Sequence, residues 1–245
     1  MTSLIVPDWP APSNVRALVT TRGGGVSASP YGSLNLGAHV GDLPEAVAEN
    51  RSRLRRLLPD EPVWLDQVHG TTVLEADCAA GLAQADASLA RRPGVVCSVM
   101  TADCLPVLFC DDAGSVVAAA HAGWRGLAAG VLEATVARMA VAPECVLAWL
   151  GPAIGPTAFE VGAEVRYAFV AADPGAAEAF VGHQQPDKWL ADLFMLARRR
   201  LVRAGVSRVY GGGLCTVSDV ARFYSYRRDG VTGRFASMVW REQRG

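Results

Sequence analysis

The sequence lacks the features that mark several broad classes of protein. Its 245 residues carry a formal net charge of −1, so we expect no overall electrostatic attraction to nucleic acid or to an anionic membrane. The N-terminal segment has no basic stretch followed by a long apolar one, as a secretory signal would have. Apolar runs elsewhere are shorter than the roughly 18 residues that a membrane-spanning helix requires. We therefore expect a soluble, cytoplasmic protein with neither a membrane nor a nucleic acid as its partner.

Cysteine and histidine are too few and too scattered for several known scaffolds. The six cysteines include no CxxC pair and no closely spaced disulfide framework, so we expect reduced thiols. Only four histidines occur: His39, His69, His121 and His183. Internal repeats and low-complexity tracts are absent as well. Any metal or acid–base chemistry must therefore depend on few residues.

What the sequence does contain is the pattern of a mixed α/β protein. Hydrophobic residues make up 51% of the chain and charged residues 19%, the composition of a globular protein with a sizeable core. Apolar runs predict strands over residues 15–20, 63–68, 72–76, 95–100, 105–110, 115–120, 146–150 and 236–241. Periodicity and end signals predict helices over residues 44–58, 125–140, 162–171 and 188–204. The simplest architecture is one compact, α+β-like domain over residues 1–245, in which helices flank mixed β-sheets.

Two of the predicted strands form a hairpin that brings Cys104 close to His121. The runs LPVLFC and SVVAAA are separated by the turn-rich segment DDAG. If the loop is centred between Asp112 and Ala113, Cys104 and His121 are direct cross-strand partners, with Cβ atoms roughly 4.5 to 5.5 Å apart. A thiolate and an imidazole at that spacing could share one metal ion or one proton.

His69 stands at the end of another predicted strand, where functional side chains are often presented. Together, His69, Cys104 and His121 would give a tetrahedral Zn²⁺ three ligands and leave its fourth position open, as in catalytic zinc sites. The residues alone leave three other interpretations open: a metal-free Cys104 nucleophile with His121 as its base, a structural zinc module, and ordinary buried side chains. Asp103 is expected to hold the loop, because it points to the opposite face of a regular strand.

Longer motifs around these residues resemble those of a known family. The central ones are QVHG (67–70), TADCLP (101–106) and HAGWRG (121–126), and others follow in the family's order, including TRGG (21–24), LNL (34–36), HVGD (39–42), NR (50–51), GPAIG (151–155) and SYRRDG (225–230). They are similar to the YfiH family, whose members are variously called polyphenol oxidases, purine nucleoside phosphorylases and peptidoglycan-editing factors. The resemblance covers nearly the whole chain. It implies a YfiH-like fold with zinc bound by His69, Cys104 and His121 as the catalytic centre.

The resemblance also implies an activity and its substrates. The activity is phosphorolysis of adenosine- and inosine-type nucleosides to the base and ribose 1-phosphate, together with hydrolytic deamination of adenosine. Phosphate requires fixed positive charge, which arginine supplies in a geometry that suits phosphate oxygens. The candidates are the arginines in loops or motif segments: Arg22, Arg51, Arg125 and Arg227. Asn35 and Gln67 could hydrogen-bond the ribose or the base.

Several alternative functions remain open from the sequence. A multicopper laccase would need a mononuclear copper with two histidines and a cysteine, plus a histidine-rich trinuclear cluster, and four histidines cannot build both. A single Cu²⁺ in place of Zn²⁺ stays open, as do a metal-independent cysteine hydrolase using Cys104 and His121 and a hydrolase that edits peptidoglycan precursors. A zinc deaminase of the cytidine type does not fit, because its HxE and PCxxC motifs are missing.

Overall fold

Two large β-sheets form the centre of the structure, a computed structural model that describes residues 4–243. The strands of this region are β1 (Leu4–Ile5), β2 (Val15–Thr20), β3 (Pro62–Val63), β4 (Leu65–Asp66), β5 (Val73–Glu75), β6 (Ala83–Gln84), β7 (Ala87–Ala90), β8 (Val96–Thr101), β9 (Leu105–Asp111), β10 (Val117–Ala122), β11 (Val146–Leu150), β12 (Glu160–Gly162), β13 (Phe180–Gly182), β14 (Lys188–Ala191), β15 (Arg208–Gly211) and β16 (Phe235–Arg241). The first sheet has the order β1–β2–β16–β8–β3, and the second has the order β15–β11–β9–β10–β7–β5. Two small sheets have the orders β12–β14–β13 and β4–β6.

The helices of the described region are short. They are α1 (Pro44–Arg55), α2 (Trp124–Ala129), α3 (Val131–Met139), α4 (Ala163–Val170), α5 (Leu193–Arg203) and α6 (Tyr226–Asp229), with 3₁₀ segments at Ala76–Cys78, Pro143–Cys145 and Pro174–Ala179. Within residues 4–243, no helix combines the length and the apolar character that crossing a membrane would require.

Alternate residues of β9 enter two different hydrophobic cores. Val107 and Phe109 pack on the side of the sheet where α3, α4 and α5 contribute their apolar residues. Leu108 and Cys110 belong to the core between the two large sheets, which also contains Val99 of β8. All seven residues of β9 are buried. The continuous apolar run of this strand therefore reflects burial on both faces of the sheet.

Helix α1 and the loop that precedes it cover the other face of the first sheet. Leu54 of α1 and Leu34 and Leu36 of the loop pack against Leu18 of β2 and Met238 of β16. With the helices beyond the second sheet, the layers follow the order helix, sheet, sheet, helix. The fold class predicted from the sequence, a compact mixed α/β domain with several mixed sheets and helices, is confirmed.

Three predicted elements are each divided in the structure. The helix predicted over residues 125–140 is divided into α2 and α3 at Gly130, whose φ of +102° lies in the left-handed region that glycine adopts without strain. The segment 188–204 begins as β14, the central strand of a three-stranded sheet, and α5 follows only after Asp192. The Asp192 side chain caps that helix by accepting a hydrogen bond from the Met195 amide. The strand predicted over 63–68 is also divided, because β3 pairs with β8 and β4 with β6.

The register of the β9–β10 hairpin differs from the predicted one. His121 pairs with Pro106, and Cys104 lies just before β9. The loop is centred one residue later than predicted, because the Asp111 carboxylate accepts a hydrogen bond from the Ser115 amide (2.6 Å) and so holds the turn further along the chain. The predicted direct pairing of Cys104 with His121 is therefore wrong. The cross-strand partner is displaced by two residues, and this preserves the face of the sheet because side chains alternate with a period of two.

Candidate active site

Three potential metal ligands converge at a cleft of about 440 Å³. His69 follows β4, Cys104 precedes β9 and His121 lies in β10. Their ligand atoms lie within 4.8 Å of one another, and Cys104 Sγ is 3.7 Å from His69 Nε2. Around a tetrahedral Zn²⁺, with Zn–S of about 2.3 Å and Zn–N of about 2.05 Å, a sulfur and a nitrogen ligand would be about 3.6 Å apart. The donor set therefore fits a single ion with small adjustments.

The loops that carry these ligands have unusual backbone conformations. His69 has a φ of +62°, in the left-handed region that few residues other than glycine adopt. The amides of His69 and Gly70 donate to the Asp86 carboxylate at 2.8 and 2.6 Å. In the neighbouring loop, Asp103 has a φ of +94° and accepts a hydrogen bond from Thr216 Oγ1 at 2.6 Å, so it holds the loop as predicted. Such conformations persist only where surrounding contacts fix them, and they cluster at functional sites.

Asp86 connects two of the ligands, and sequence reasoning missed it. Its side chain is fully buried, and it accepts a hydrogen bond from His121 Nδ1 at 2.8 Å in addition to those from the loop amides. Because Nδ1 is engaged in this way, the Nε2 lone pair of His121 is free to bind a metal. Burial would raise the pKa of Asp86, but hydrogen bonds from His121, Gly70 and His69 outweigh it and lower that pKa. The sequence offered one indication of this role, because Asp86 is a single carboxylate within the otherwise largely apolar segment 85–90, ADASLA.

Gly123 leaves space for two ligands. A Cβ atom at this position would lie 2.5 Å from His69 Cδ2 and 3.0 Å from Cys104 Sγ. Its φ of −62° is accessible to any residue, and it occupies the N-cap of α2. The glycine of the HAGWRG motif is therefore required by the close approach of the ligands and not by its backbone conformation.

The charges within the cluster favour an ion pair between thiol and imidazole. Burial would raise the pKa of Cys104, but the charge of His121 and hydrogen bonds from His121 and His69 outweigh burial and lower it to about 6. Burial would lower the pKa of His121, but Cys104 and Asp86 together raise it to about 9. These shifts favour Cys104 as the thiolate, the form that binds metals and attacks electrophiles, and a metal would displace the proton from His121 Nε2. This arrangement supports either a metal centre or a nucleophile with its base.

Aromatic side chains and arginines line other parts of the cleft. Trp124, Phe159 and Tyr226 contribute rings, and Tyr226 is 63% exposed. The guanidinium carbon of Arg125 is 4.4 Å from the centroid of the Trp124 ring, and that of Arg227 is 5.6 Å from the centroid of Phe159. Aromatic faces can stack on a flat heterocycle, and guanidinium groups can bind an anion.

Three of the six predicted substrate-binding residues line the cleft: Gln67, Arg125 and Arg227. Arg125 is exposed, and its guanidinium forms no hydrogen bond or ion pair with another residue in the range 4–243. Arg227 donates through Nη1 to the Glu160 carbonyl at 2.9 Å. The Gln67 amide pairs with the main chain of Met100 in both directions, each at 2.8 Å. Substrate contact stays a prediction for all three.

The other three predicted residues lie outside the lining of the cleft and hold loops together. Arg22 donates through Nε to the Gly32 carbonyl at 3.0 Å. Arg51 donates twice to the Leu36 carbonyl, at 3.0 and 2.8 Å. Asn35 is fully buried, and both of its polar side-chain atoms form hydrogen bonds within the protein. The structure therefore brings the three predicted ligands together with only half of the predicted substrate-binding set.

Two further cleft residues stood outside the predicted site set, although His39 belongs to the HVGD motif. His39 and Arg234 both line the cleft. Arg234 stands one residue before the final strand, and Phe235 at the start of that strand pairs with Thr101. Arg234 reaches the TADC segment only because β16 pairs with β8. That pairing joins distant parts of the chain, and a single sequence does not predict it.

Comparison with known proteins identifies the family. A family model described as multi-copper polyphenol oxidoreductase laccase matches residues 16–242. A crystal structure of a Neisseria meningitidis protein, whose description assigns it to DUF152, has 55% identity and a TM-score of 0.95, covering 98% of this chain and 99% of that one. A crystal structure of YlmD from Geobacillus stearothermophilus has 32% identity and a TM-score of 0.88, covering 96% and 94% of the two chains. The fold and the cluster thus define a protein of the same class as the DUF152 protein and YlmD.

Curated relatives agree with this assignment. A Pseudomonas aeruginosa protein named purine nucleoside phosphorylase is 63% identical over 240 residues, covering 98% of this chain and 99% of the relative. The Escherichia coli K12 protein named purine nucleoside phosphorylase YfiH is 59% identical over 243 residues, with 98% and 99% coverage. The chain belongs to this family, the YfiH or DUF152 family.

The donor set does not resemble a multicopper site. Within the described part of the chain, one group of three or more potential metal ligands lies close enough to share an ion, and it is formed by His69, Cys104 and His121. A three-residue donor set of this kind holds one ion, whereas a multicopper oxidase combines a mononuclear centre with a trinuclear one. The donor set therefore fits one metal ion better than the several copper ions that the family model's description implies.

Proposed function

We propose that the protein is a zinc-dependent enzyme that cleaves purine nucleosides by phosphorolysis to the free base and ribose 1-phosphate, and that it also deaminates adenosine hydrolytically. The observation that carries the proposal is the His69, Cys104 and His121 cluster opening into a cleft of about 440 Å³ with aromatic and arginine walls. That volume lies in the range of small-molecule sites. The names of the two curated relatives support the same substrate class.

His69, Cys104 and His121 would hold the metal. Two imidazoles and one thiolate are donors that zinc accepts, and they leave a fourth position open for substrate or water. Copper also binds such a donor set, so Cu²⁺ is the alternative ion. Bound zinc would supply Lewis acidity, which polarises a substrate oxygen. Asp86 keeps His121 in the orientation and tautomer that a metal ligand requires.

The other residues of the cleft would bind and orient the substrates. The rings of Trp124, Phe159 and Tyr226 offer faces on which a purine can stack. Arg125 and Arg227 are exposed and add positive charge to the cleft, which attracts an anionic co-substrate. With zinc held by one thiolate and two neutral imidazoles, the cluster would keep a net positive charge, which adds to the attraction that these arginines exert on phosphate.

A substrate screen tests the proposal. Purified protein loaded with Zn²⁺, Cu²⁺ or no metal is incubated with adenosine, inosine and guanosine, with and without phosphate, and the products are identified by mass. We expect ribose 1-phosphate only when phosphate is present, and inosine from adenosine in either case. Cys104→Ala should abolish metal binding and turnover, whereas Cys78→Ala, which changes an exposed cysteine, should change neither. Full zinc content and full turnover in Cys104→Ala would refute the assignment.

A metal-independent cysteine hydrolase is the second candidate, and one observation favours it. In this candidate, Cys104 is the nucleophile and His121 is its base. The Asp86 carboxylate orients His121 through the hydrogen bond to Nδ1. His69 has no part in such a triad, but it completes a metal site. Chelation separates the two candidates: a thiol enzyme keeps its activity after the metal is removed and loses it to iodoacetamide, whereas the proposed zinc enzyme loses activity on chelation and regains it when Zn²⁺ is restored.

A further inference from the structure

Arg234 is a cation of the cleft with no carboxylate at salt-bridge distance among the described residues. It lines the cleft, and its guanidinium donates through Nη1 to the main-chain carbonyls of Thr232 (3.1 Å) and Gly233 (3.0 Å). Within residues 4–243 it forms no salt bridge, and Nε and Nη2 have no hydrogen-bond acceptor. A partly buried guanidinium whose remaining N–H donors have no acceptor is suited to bind an anion in a bidentate manner.

The surrounding fold fixes the position of Arg234. Its amide donates to Asn35 Oδ1 at 2.8 Å, and its carbonyl accepts from the Leu36 amide at 3.1 Å. Its aliphatic stem packs closely on Gly37, where a Cβ atom would lie 2.9 Å from Arg234 Cγ. Asn35, which the sequence analysis assigned to substrate binding, therefore positions Arg234 instead of lining the cleft.

Two further groups belong to the same region of the cleft. Thr101, paired with the residue that follows Arg234, is 1% exposed, and its hydroxyl has no hydrogen-bond partner in the described part of the chain. His39 lines the cleft, and burial followed by the charge of Arg234 lowers its pKa. The Arg234 pKa is itself lowered by burial, which the charges of Cys104 and Asp103 oppose. Arg234 therefore lies within electrostatic reach of the ligand cluster.

We propose that Arg234, with Thr101 and His39, forms the subsite that binds inorganic phosphate beside the ligand cluster. The identification of the anion as the phosphate of phosphorolysis rests on the proposed function. Nε and Nη2 of Arg234 donate to two phosphate oxygens, and Thr101 and His39 form the wall beside them. The exposed Arg125 and Arg227 attract the anion, and Arg234 binds it.

Phosphorolysis by phosphate bound at this position is a balanced reaction. An oxygen of monohydrogen phosphate forms a bond to C1′ of the ribose while the bond from C1′ to the purine nitrogen breaks. The bonding electron pair leaves with the purine, and the proton of monohydrogen phosphate ends on that nitrogen. The products are ribose 1-phosphate and the neutral base, and no oxidant or further reactant is required.

Arg234→Gln tests the subsite, with Arg198→Gln as the matched control. Arg198 is also partly buried and donates to main-chain carbonyls, those of Val209 and Gly211, but it does not line the cleft. Calorimetry with inorganic phosphate alone, on zinc-loaded protein, should show that Arg234→Gln weakens phosphate binding by about tenfold to a hundredfold. The KM for phosphate in phosphorolysis should rise by a similar factor, while the zinc content stays at the wild-type level.

The outcomes separate this proposal from the proposed function. Unchanged phosphate affinity in Arg234→Gln, or an equal loss in Arg198→Gln, would overturn the subsite even if the wild-type enzyme is a phosphorylase. If no nucleoside yields ribose 1-phosphate, the proposed function fails, yet Arg234-dependent binding of phosphate would still establish the subsite. Absence of phosphate binding in the wild-type protein would overturn it. Arg234→Lys should recover part of the affinity, because it restores the charge without the bidentate geometry.

Discussion

Asp86→Asn is the substitution that most directly tests how the candidate metal site is built. The carboxylate accepts hydrogen bonds from His121 Nδ1 and from the amides of His69, Gly70 and Val68, at distances between 2.6 and 3.3 Å. An asparagine has almost the same shape, but one of its two oxygen acceptors becomes an NH₂ donor. Whichever way the amide is oriented, this NH₂ group faces N–H donors, so about two of the hydrogen bonds are lost.

The structure gives the size of the effect. Each hydrogen bond to a charged group contributes about 1.5–3 kcal/mol, so the loss of two should reduce the free energy of unfolding by about 3 kcal/mol or more. Metal affinity should fall by about tenfold to a hundredfold, as for other substitutions of a carboxylate that orients a histidine ligand. His121 loses its fixed tautomer, and the loop that holds His69 at its positive φ loses its anchor.

A competition titration against a metal-binding dye measures the zinc affinity, and urea unfolding measures the stability. Asp77→Asn is the matched control, because Asp77 also accepts hydrogen bonds from two main-chain amides, those of Arg91 and Arg92, at a site outside the cleft. The control should lose stability but keep the wild-type zinc affinity. Wild-type zinc affinity in Asp86→Asn would refute the role of Asp86 in orienting the ligands.

Two further substitutions test the packing. Gly123→Ala should lower zinc affinity at least tenfold in a folded protein, because the added Cβ would lie 2.5 Å from His69 Cδ2 and 3.0 Å from Cys104 Sγ. Gly182→Ala is the control, because a Cβ at that position meets nothing within 4 Å. Equal zinc affinities in the two variants would contradict the contact. Phe109→Ala should lower the free energy of unfolding by about 3–5 kcal/mol, since this fully buried ring fills the core beneath the helices. A loss below about 1 kcal/mol in urea unfolding would contradict that packing.

Local patterns in the sequence were sufficient for much of the fold. The strands over residues 15–20 and 146–150 were predicted with the observed bounds, because their apolar runs are bounded by turn residues. The helix predicted to begin at Pro44 does begin there, since proline favours the first turn. The hairpin register was wrong because a hydrogen bond of one side chain, Asp111, moved the centre of the loop by one residue.

Long-range pairing explains what was missed at the site. The three ligands belong to recognisable motifs, so the sequence was enough to propose them together. Asp86 and Arg234 are held near the ligand cluster by hydrogen bonds to segments 16 and 199 residues away in sequence, and no local pattern predicts such contacts. Asn35 shows the converse, because its motif drew attention to a residue that lies outside the cleft lining and accepts a hydrogen bond from the Arg234 amide.

The position of β16 has a consequence for the order in which the chain is synthesised. This strand lies between β2 and β8 in the first sheet and is the last strand of the described region. Until it is added, β2 and β8 each present an unpaired edge, which is a site for aggregation or for capture by a chaperone. His69, Cys104 and His121 leave the ribosome well before it. A nascent chain therefore has all three candidate ligands while the wall that contains Arg234 is still missing, and the cleft is completed only by the final strand.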